Sequence, residues 1–261
     1  LSIKLLTKIE SFMIISDWRR PERFARPSYE PSAPQEEFIV KLLRSHIEQV
    51  LVDYGKPSSS NSCALDVGCG RQPFRQELEA LGYTYSSIDV HQNPEGSVDV
   101  ICEIDQPLPQ EIDSDSGFDF IFCTEVMEHV VDWNMAFNNF SNLLAPGGRL
   151  FITCPHFYQL HEEPYDFWRA TPYALSHFGH KFGLKILHQV NAGDGWDVLG
   201  TFITSCYALP ASRSISDRIL SKIINLLKQW LFNLLKSRKI QHSVHLQGSI
   251  YISNIIVFVK T

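Results

Sequence analysis

Apolar positions along the chain follow two different periods. Between Gln35 and Tyr54 they recur at Phe38, Leu42, Leu43, Ile47, Val50 and Leu51, the spacing of an amphipathic helix, with Ser32 as a candidate cap. From Cys63 onward short apolar runs alternate with helical stretches. Runs at 63–67, 85–89, 98–102, 118–123 and 149–154 predict strands, and helices are expected over 73–81 and 134–144. Thr171-Pro172 reads as an N-cap followed by proline at the first helical position, opening a short helix to His180. The segments 184–190 and 250–260 predict the last two strands. Such alternation points to an α/β protein with a doubly wound, mostly parallel seven-stranded sheet carrying helices on both faces.

The pattern also divides the chain. Residues 1–54 are expected to form an N-terminal helical arm, and residues 55–261 the α/β body, with a helical insertion over about 194–247 before the last strand. Pro21, Pro27, Pro31 and Pro34 make 17–34 irregular, and its aromatics Trp18, Phe24 and Tyr29 are placed to cover a pocket. In the insertion, Ile219, Leu220, Ile223, Ile224, Leu227, Trp230, Leu231, Leu234 and Leu235 form one helical stripe. Residues 213–239 hold seven basic residues and one acid, Asp217, a local charge of +6. The stripe is expected to pack over a pocket or against a second subunit, giving a homodimer. Contact with an anionic membrane surface is the alternative.

Chemistry concentrates at the predicted strand ends. The first strand closes in Asp66-Val67-Gly68-Cys69-Gly70, where two glycines let the backbone turn sharply and approach a ligand. Asp89 ends the second strand, placed to accept hydrogen bonds from the hydroxyls of a ribose, with Val90 beside it. A dinucleotide fingerprint would need a third glycine where Pro73 stands, and does not require an acid at position 66. That acid suits a ligand with an ammonium group beside the glycine turn. Phe118-Asp119-Phe120-Ile121, Glu125-Val126-Met127-Glu128-His129 and Leu144-Ala145-Pro146-Gly147-Gly148-Arg149-Leu150 follow in order.

Together these motifs resemble the class I S-adenosylmethionine-dependent methyltransferases, and within them the broad small-molecule group called type 11. The resemblance runs from about Leu65 to Cys154. It implies a Rossmann-like methyltransferase fold with S-adenosyl-L-methionine as cofactor, held by Asp66, Gly68, Cys69, Gly70, Asp89 and Val90. It further implies Glu103 or the Ile104 backbone at the adenine, with Asp105 competing, and Thr124 and Glu125 as neighbours of the sulfonium. The family usually has a third glycine where this chain has Gln72, whose side chain is expected to crowd the methionine tail.

The loop 155–169 packs histidines, aromatics and charges after the fifth predicted strand, a poor composition for a core and a good one for an acceptor pocket. His161 and His156 are the candidate general bases, since imidazole titrates near physiological pH. Tyr165, Asp166 and Arg169 are candidate substrate contacts, the last two equally suited to a local ion pair. Glu125, Glu128 and His129 share one face of a turn and could meet one cation; the resemblance implies a divalent metal at similar residues in small-RNA 2′-O-methyltransferases and ubiquinone-pathway O-methyltransferases, while many type 11 relatives carry the pattern with no known metal, and none is assigned.

Composition narrows the rest. The 261 residues have a mean hydropathy of −0.09 and a net charge of −6, with no overall basic footprint for nucleic acid. The six cysteines show no C-x-x-C spacing and read as buried thiols of a reducing compartment. With no secretory pattern in the first residues, the cytoplasm is expected, peripheral to a membrane if the basic helix docks there; Met13 is a candidate start. The expected reaction is methyl transfer to oxygen or nitrogen of a small molecule, such as a sugar, a glycan precursor or a secondary metabolite. The rivals are a non-catalytic cofactor-binding protein of the same fold and a metal-dependent RNA 2′-O-methyltransferase.

Overall fold

The computed structural model describes residues 28–31, 33–112, 116–205, 214–240 and 248–261. Seven strands form one sheet: β1 (Cys63–Val67), β2 (Thr84–Asp89), β3 (Val100–Ile101), β4 (Phe118–Thr124), β5 (Leu144–Pro155), β6 (Leu184–Ala192) and β7 (Ser253–Lys260). Their order is β3-β2-β1-β4-β5-β7-β6. Only β7 runs against its neighbours, antiparallel to both β5 and β6. The order reverses between β1 and β4, which pair in parallel, and ligands of open α/β sheets bind outside the carboxyl ends at such a point.

Both faces of the sheet are covered, so its central strands are apolar at nearly every position. Side chains alternate across a strand. Phe120, Phe122 and Phe151 therefore join one core with Leu43, Ile47 and Val50 of α1 (Val40–Tyr54). Ile121, Cys123, Leu150 and Ile152 join the other with Phe137 and Phe140 of α3 (Trp133–Leu143). The α3 N-terminus is closed by Asp132, which accepts from the amides of Asn134 at 2.9 Å and Met135 at 3.2 Å. Thr171 caps α4 (Pro172–Lys181), accepting from the Ala174 amide at 3.2 Å with Pro172 in the first turn, as its sequence predicts.

Four sequence expectations change. The first helix begins at Val40, after a 3₁₀ turn over Pro34–Glu36, without a side-chain cap on Ile39. Ser32, Trp18 and Phe24 lie outside the described residues. The third strand shrinks to two residues, since Asp99 is drawn off to accept from the Ser87 amide and hydroxyl, both at 2.8 Å. The fifth strand grows to twelve residues, taking in the Pro146-Gly147-Gly148 turn.

The fourth change concerns the stretch between β6 and β7, which holds α2's larger counterparts α5 (Gly195–Ser205) and α6 (Ile215–Lys236); α2 itself spans Arg75–Leu81. Of the apolar stripe of α6, Leu235 alone is buried, and Ile219, Leu220, Ile223, Ile224, Leu227 and Trp230 stay exposed. None of the α6 side chains reaches the cavity described below, so packing over a pocket is not what the helix does. It meets the body mainly through its C-terminal turns, where Phe232 and Leu235 are covered.

Candidate active site

A cavity of about 440 Å³ opens at the carboxyl ends of β1, β2 and β4. One end is formed by the loops after β1 and β2. Gly68 turns there at φ 66°, and a Cβ on it would come within 2.3 Å of Cγ2 of Val126, so only glycine fits. Asp89 ties the two loops together: its Oδ2 accepts from the Gly70 amide at 2.8 Å, and its Oδ1 from the Val90 amide at 2.7 Å.

Asp66 faces this end from inside β1, 3% exposed, accepting from the Tyr85 hydroxyl at 2.7 Å. Burial pushes its carboxyl up to about 7, against the pull of the Tyr85 hydrogen bond. A cation brought beside it would restore the charged form. Gln72 adopts the left-handed conformation usual for glycine, at φ 55°. Its side chain turns out of the cavity: Nε2 donates to the Ser97 carbonyl at 2.7 Å and to Ser87 Oγ at 3.0 Å, and Oε1 accepts from Ser97 Oγ at 3.0 Å. The expected crowding of the methionine tail does not occur, because these partners hold the amide behind the loop.

Glu103 and Ile104 line the wall beyond β3. Asp105 also lines the cavity, with its Oδ2 accepting from the amides of Val131 at 3.1 Å and Asp132 at 3.0 Å. Thr124 and Glu125 form the floor where β4 ends, Glu125 at a strained φ of 54°. Burial pushes Glu125 up to about 7, while its Oε1 accepts from Ser253 of β7 at 3.1 Å.

The other end is the loop after β5. His161 and Tyr165 reach the cavity, joined by His129 and Glu162. His129 Nδ1 donates to the Tyr165 carbonyl at 2.6 Å, and its Nε2 lies 3.8 Å from Glu128 Oε1 and 3.9 Å from Glu162 Oε2. Burial, then the neighbouring His129, lowers the His161 pKa and keeps that imidazole neutral. Its Nδ1 stands 3.3 Å from both the Gln159 carbonyl and Asp166 Oδ2.

Glu128 is fully buried, and neither carboxylate oxygen finds a hydrogen-bond partner among the described residues. Burial, then the charge of Glu125, raises its pKa well above the usual range. Its Oε1 lies 3.8 Å from Nε2 of both His129 and His161, and the three residues each bring one ligand atom within 4.8 Å of the others. A carboxylate with two imidazoles is a donor set that suits a divalent ion. Glu125, grouped with them by spacing, is bonded to Ser253 and stands outside this cluster.

Three sequence-assigned residues do not line the cavity. His156 stacks on Tyr251 at 4.3 Å, with Nδ1 2.9 Å from the Ala170 carbonyl. Arg169 grips Asp166 through two bonds of 2.6 and 2.7 Å and donates to the carbonyls of Tyr158 and Gln159. Against the effect of burial, the bonds from Arg169 and the His161 amide lower the Asp166 pKa. The pair therefore holds the loop in shape, the ion-pair alternative that its spacing allows. Tyr29, expected over a pocket, lines the cavity from the arm and packs on Phe74 at 4.9 Å.

Comparison with known proteins places this geometry. A family model for a methyltransferase domain matches residues 38–200. Ubiquinone biosynthesis O-methyltransferase of Xanthomonas oryzae pv. oryzae (strain PXO99A) is 30% identical over 98 residues, 34% of this chain and 41% of that protein. The chain thus spans about two fifths of the length of the curated relatives it matches. The structure of a SAM dependent methyltransferase from Archaeoglobus fulgidus superimposes with a TM-score of 0.50 at 16% identity, covering 84% of this chain and 94% of that one. The cyclase SpnF gives 0.52 at 15% identity, with 89% and 98% covered. At such identities the two structures speak for the fold alone. With the family model spanning most of the sheet and the paired acids and glycine turn at its switch point, the chain belongs to the methyltransferase-domain family.

Proposed function

We propose that this protein transfers the methyl group of S-adenosylmethionine to an oxygen or nitrogen of a small molecule held by the loop 156–169. The observation that carries the reading is one continuous cavity, running from the acids and glycine turn after β1 and β2 to His161 and Tyr165 after β5. A transfer of this kind needs donor and acceptor in one water-poor chamber, aligned along the line of attack. The residues present fit the cofactor: a buried acid beside a glycine turn, and a second acid at the end of the neighbouring strand.

In this reading Asp66 takes the ammonium of the methionine end and Asp89 the ribose hydroxyls. The backbone of Gly68, Cys69 and Gly70 follows the chain between them, with Val90 next to the sugar. Glu103 and the Ile104 backbone meet the adenine, and Thr124 and Glu125 stand nearest the sulfonium. The bound cofactor supplies an activated methyl group. His161, neutral and facing the cavity, accepts the proton of an acceptor hydroxyl through Nε2, and Tyr165 packs on the acceptor. Asp166 and Arg169 are positioning residues that hold His161 through the loop.

Calorimetry with S-adenosylhomocysteine, followed by its formation from S-adenosylmethionine in the presence of a fractionated small-molecule extract, tests the proposal. Binding with extract-dependent turnover supports it. Binding with no turnover across all fractions would favour a non-catalytic cofactor-binding protein, and no binding would sink both.

A further inference from the structure

Helix α6 leaves most of its apolar stripe outside the body. Its partly or fully buried residues are Ser221, Lys228, Leu231, Phe232, Leu234 and Leu235, which lie beside the stripe and at its C-terminal foot. Phe232 meets Phe38 edge-on at 5.7 Å, and Lys236 Nζ lies 3.2 Å from Glu37. The apolar stripe points outward, with Ile219, Ile223, Leu226, Leu227 and Trp230 each 48–71% exposed. Scattered exposed apolar residues are ordinary, but a contiguous set along 22 residues marks a contact surface.

We propose that α6 lies in the surface plane of an anionic lipid bilayer, with the outward stripe seated at the acyl boundary. Charge selects this occupant. Residues 213–239 carry a local charge of +6 in a chain of −6, so this segment is basic where the rest of the chain is acidic. Arg218 and Lys222, both exposed, border the stripe one turn apart, where long side chains reach to headgroups while the apolar face is buried; Lys228, at the other margin, turns to the body, its Nζ 3.5 Å from the Thr204 carbonyl. A symmetric dimer through the same stripe would instead bring two such basic faces together. No helix among the described residues is long and apolar enough to cross a membrane, so α6 is read as lying flat.

The foot of the helix gives the docking a consequence. Lys236 pairs with Glu37, and its neighbour Glu36 lines the cavity, so a bilayer under α6 stands close to the cavity rim. An acceptor that partitions into the bilayer, an amphiphile with a hydroxyl or amine at headgroup level, would reach the site from there. That acceptor class rests on the proposed methyl transfer; the surface binding does not.

The test is co-sedimentation of the full chain with vesicles of phosphatidylcholine alone or with about 30% phosphatidylglycerol, at about 50 mM and about 500 mM salt. The expected result is binding to the anionic vesicles only, at least tenfold weaker at high salt, and loss of binding in Arg218→Glu/Lys222→Glu and in Leu226→Ser/Leu227→Ser. Unchanged melting and S-adenosylhomocysteine affinity of these variants show that they fold, and keep this inference separate from the methyltransferase reading. Absence of vesicle binding overturns it. So does equal binding to neutral vesicles, or a dimer in light scattering that Leu226→Ser/Leu227→Ser dissolves while vesicles fail to bind.

Discussion

Oδ2 of Asp89 accepts a hydrogen bond from the amide of Gly70 across 2.8 Å, so the acid proposed to hold the ribose also fixes the glycine turn that faces it. Removing it costs the site twice. A carboxylate hydrogen bond is worth ~1.5 to 3 kcal/mol, and Asp89→Ala should weaken S-adenosylmethionine binding by roughly 10- to 200-fold, measured by calorimetry. Unchanged affinity would remove the basis of the cofactor assignment.

Gly68→Ala should be more damaging to the fold than its size suggests. The new methyl meets Val126 at 2.3 Å from a left-handed backbone, and such strain costs on the order of 1–3 kcal/mol. A lowered melting temperature is expected, and a double variant with Val126→Ala should recover part of it. A variant as stable as the parent would mean that the turn is looser than the packing of Val126 implies.

His161→Ala should reduce kcat by about 10²- to 10⁴-fold for a hydroxyl acceptor while leaving cofactor affinity within about twofold. The half-buried ring sits on a loop, away from the glycine turn. If cofactor binding and turnover fall in parallel, His161 is only a structural part of the loop. For an amine acceptor that arrives unprotonated, the loss should be much smaller.

The acid side of neutrality should separate binding from stability. Asp66, with its pKa raised to about 7, loses charge as pH falls, so affinity for the cationic methionine end should drop between pH 8 and pH 6. Stability runs the other way. Asp66 and Glu125 hold protons in the folded state that the unfolded chain releases near pH 4, so their burial costs little at pH 5 and most above pH 7. The ligand-free protein should therefore melt higher at pH 5.5 than at pH 8. Glu128→Gln, which removes a third raised and unpartnered carboxyl, should flatten that difference. A melting temperature that rises with pH would refute the sign.

The parts of the fold legible in the sequence are those where burial on both faces leaves long apolar runs. The segment 63–67 is β1 to the residue, and 118–123 falls one residue short of β4. Side-chain competition hid part of the rest, since Asp99 shortens β3, and no side-chain hydrogen bond caps the start of α1. At the site, the acids and glycines at strand ends were readable because each ends a run. The inward turn of His129 was not, since it depends on the Tyr165 carbonyl, 36 residues away. Glu162 carried no spacing signal either. Gln72 misled because its type was visible and its direction was not.

The antiparallel strand β7 also sets an order of assembly. It stands between β5 and β6, and β6 pairs with no other strand among the described residues. Ser253 at its start bonds Glu125, and Asn254 donates to the carbonyls of Cys154 and Ala170 on either side of the acceptor loop. A nascent chain that has emerged only as far as α6 can form the glycine turn and its two acids, yet lacks the strand that clamps the far wall. The half of the chamber proposed to hold the donor is thus encoded in the first strands, while the half proposed to hold the acceptor closes only once β7, beyond the insertion, has been made.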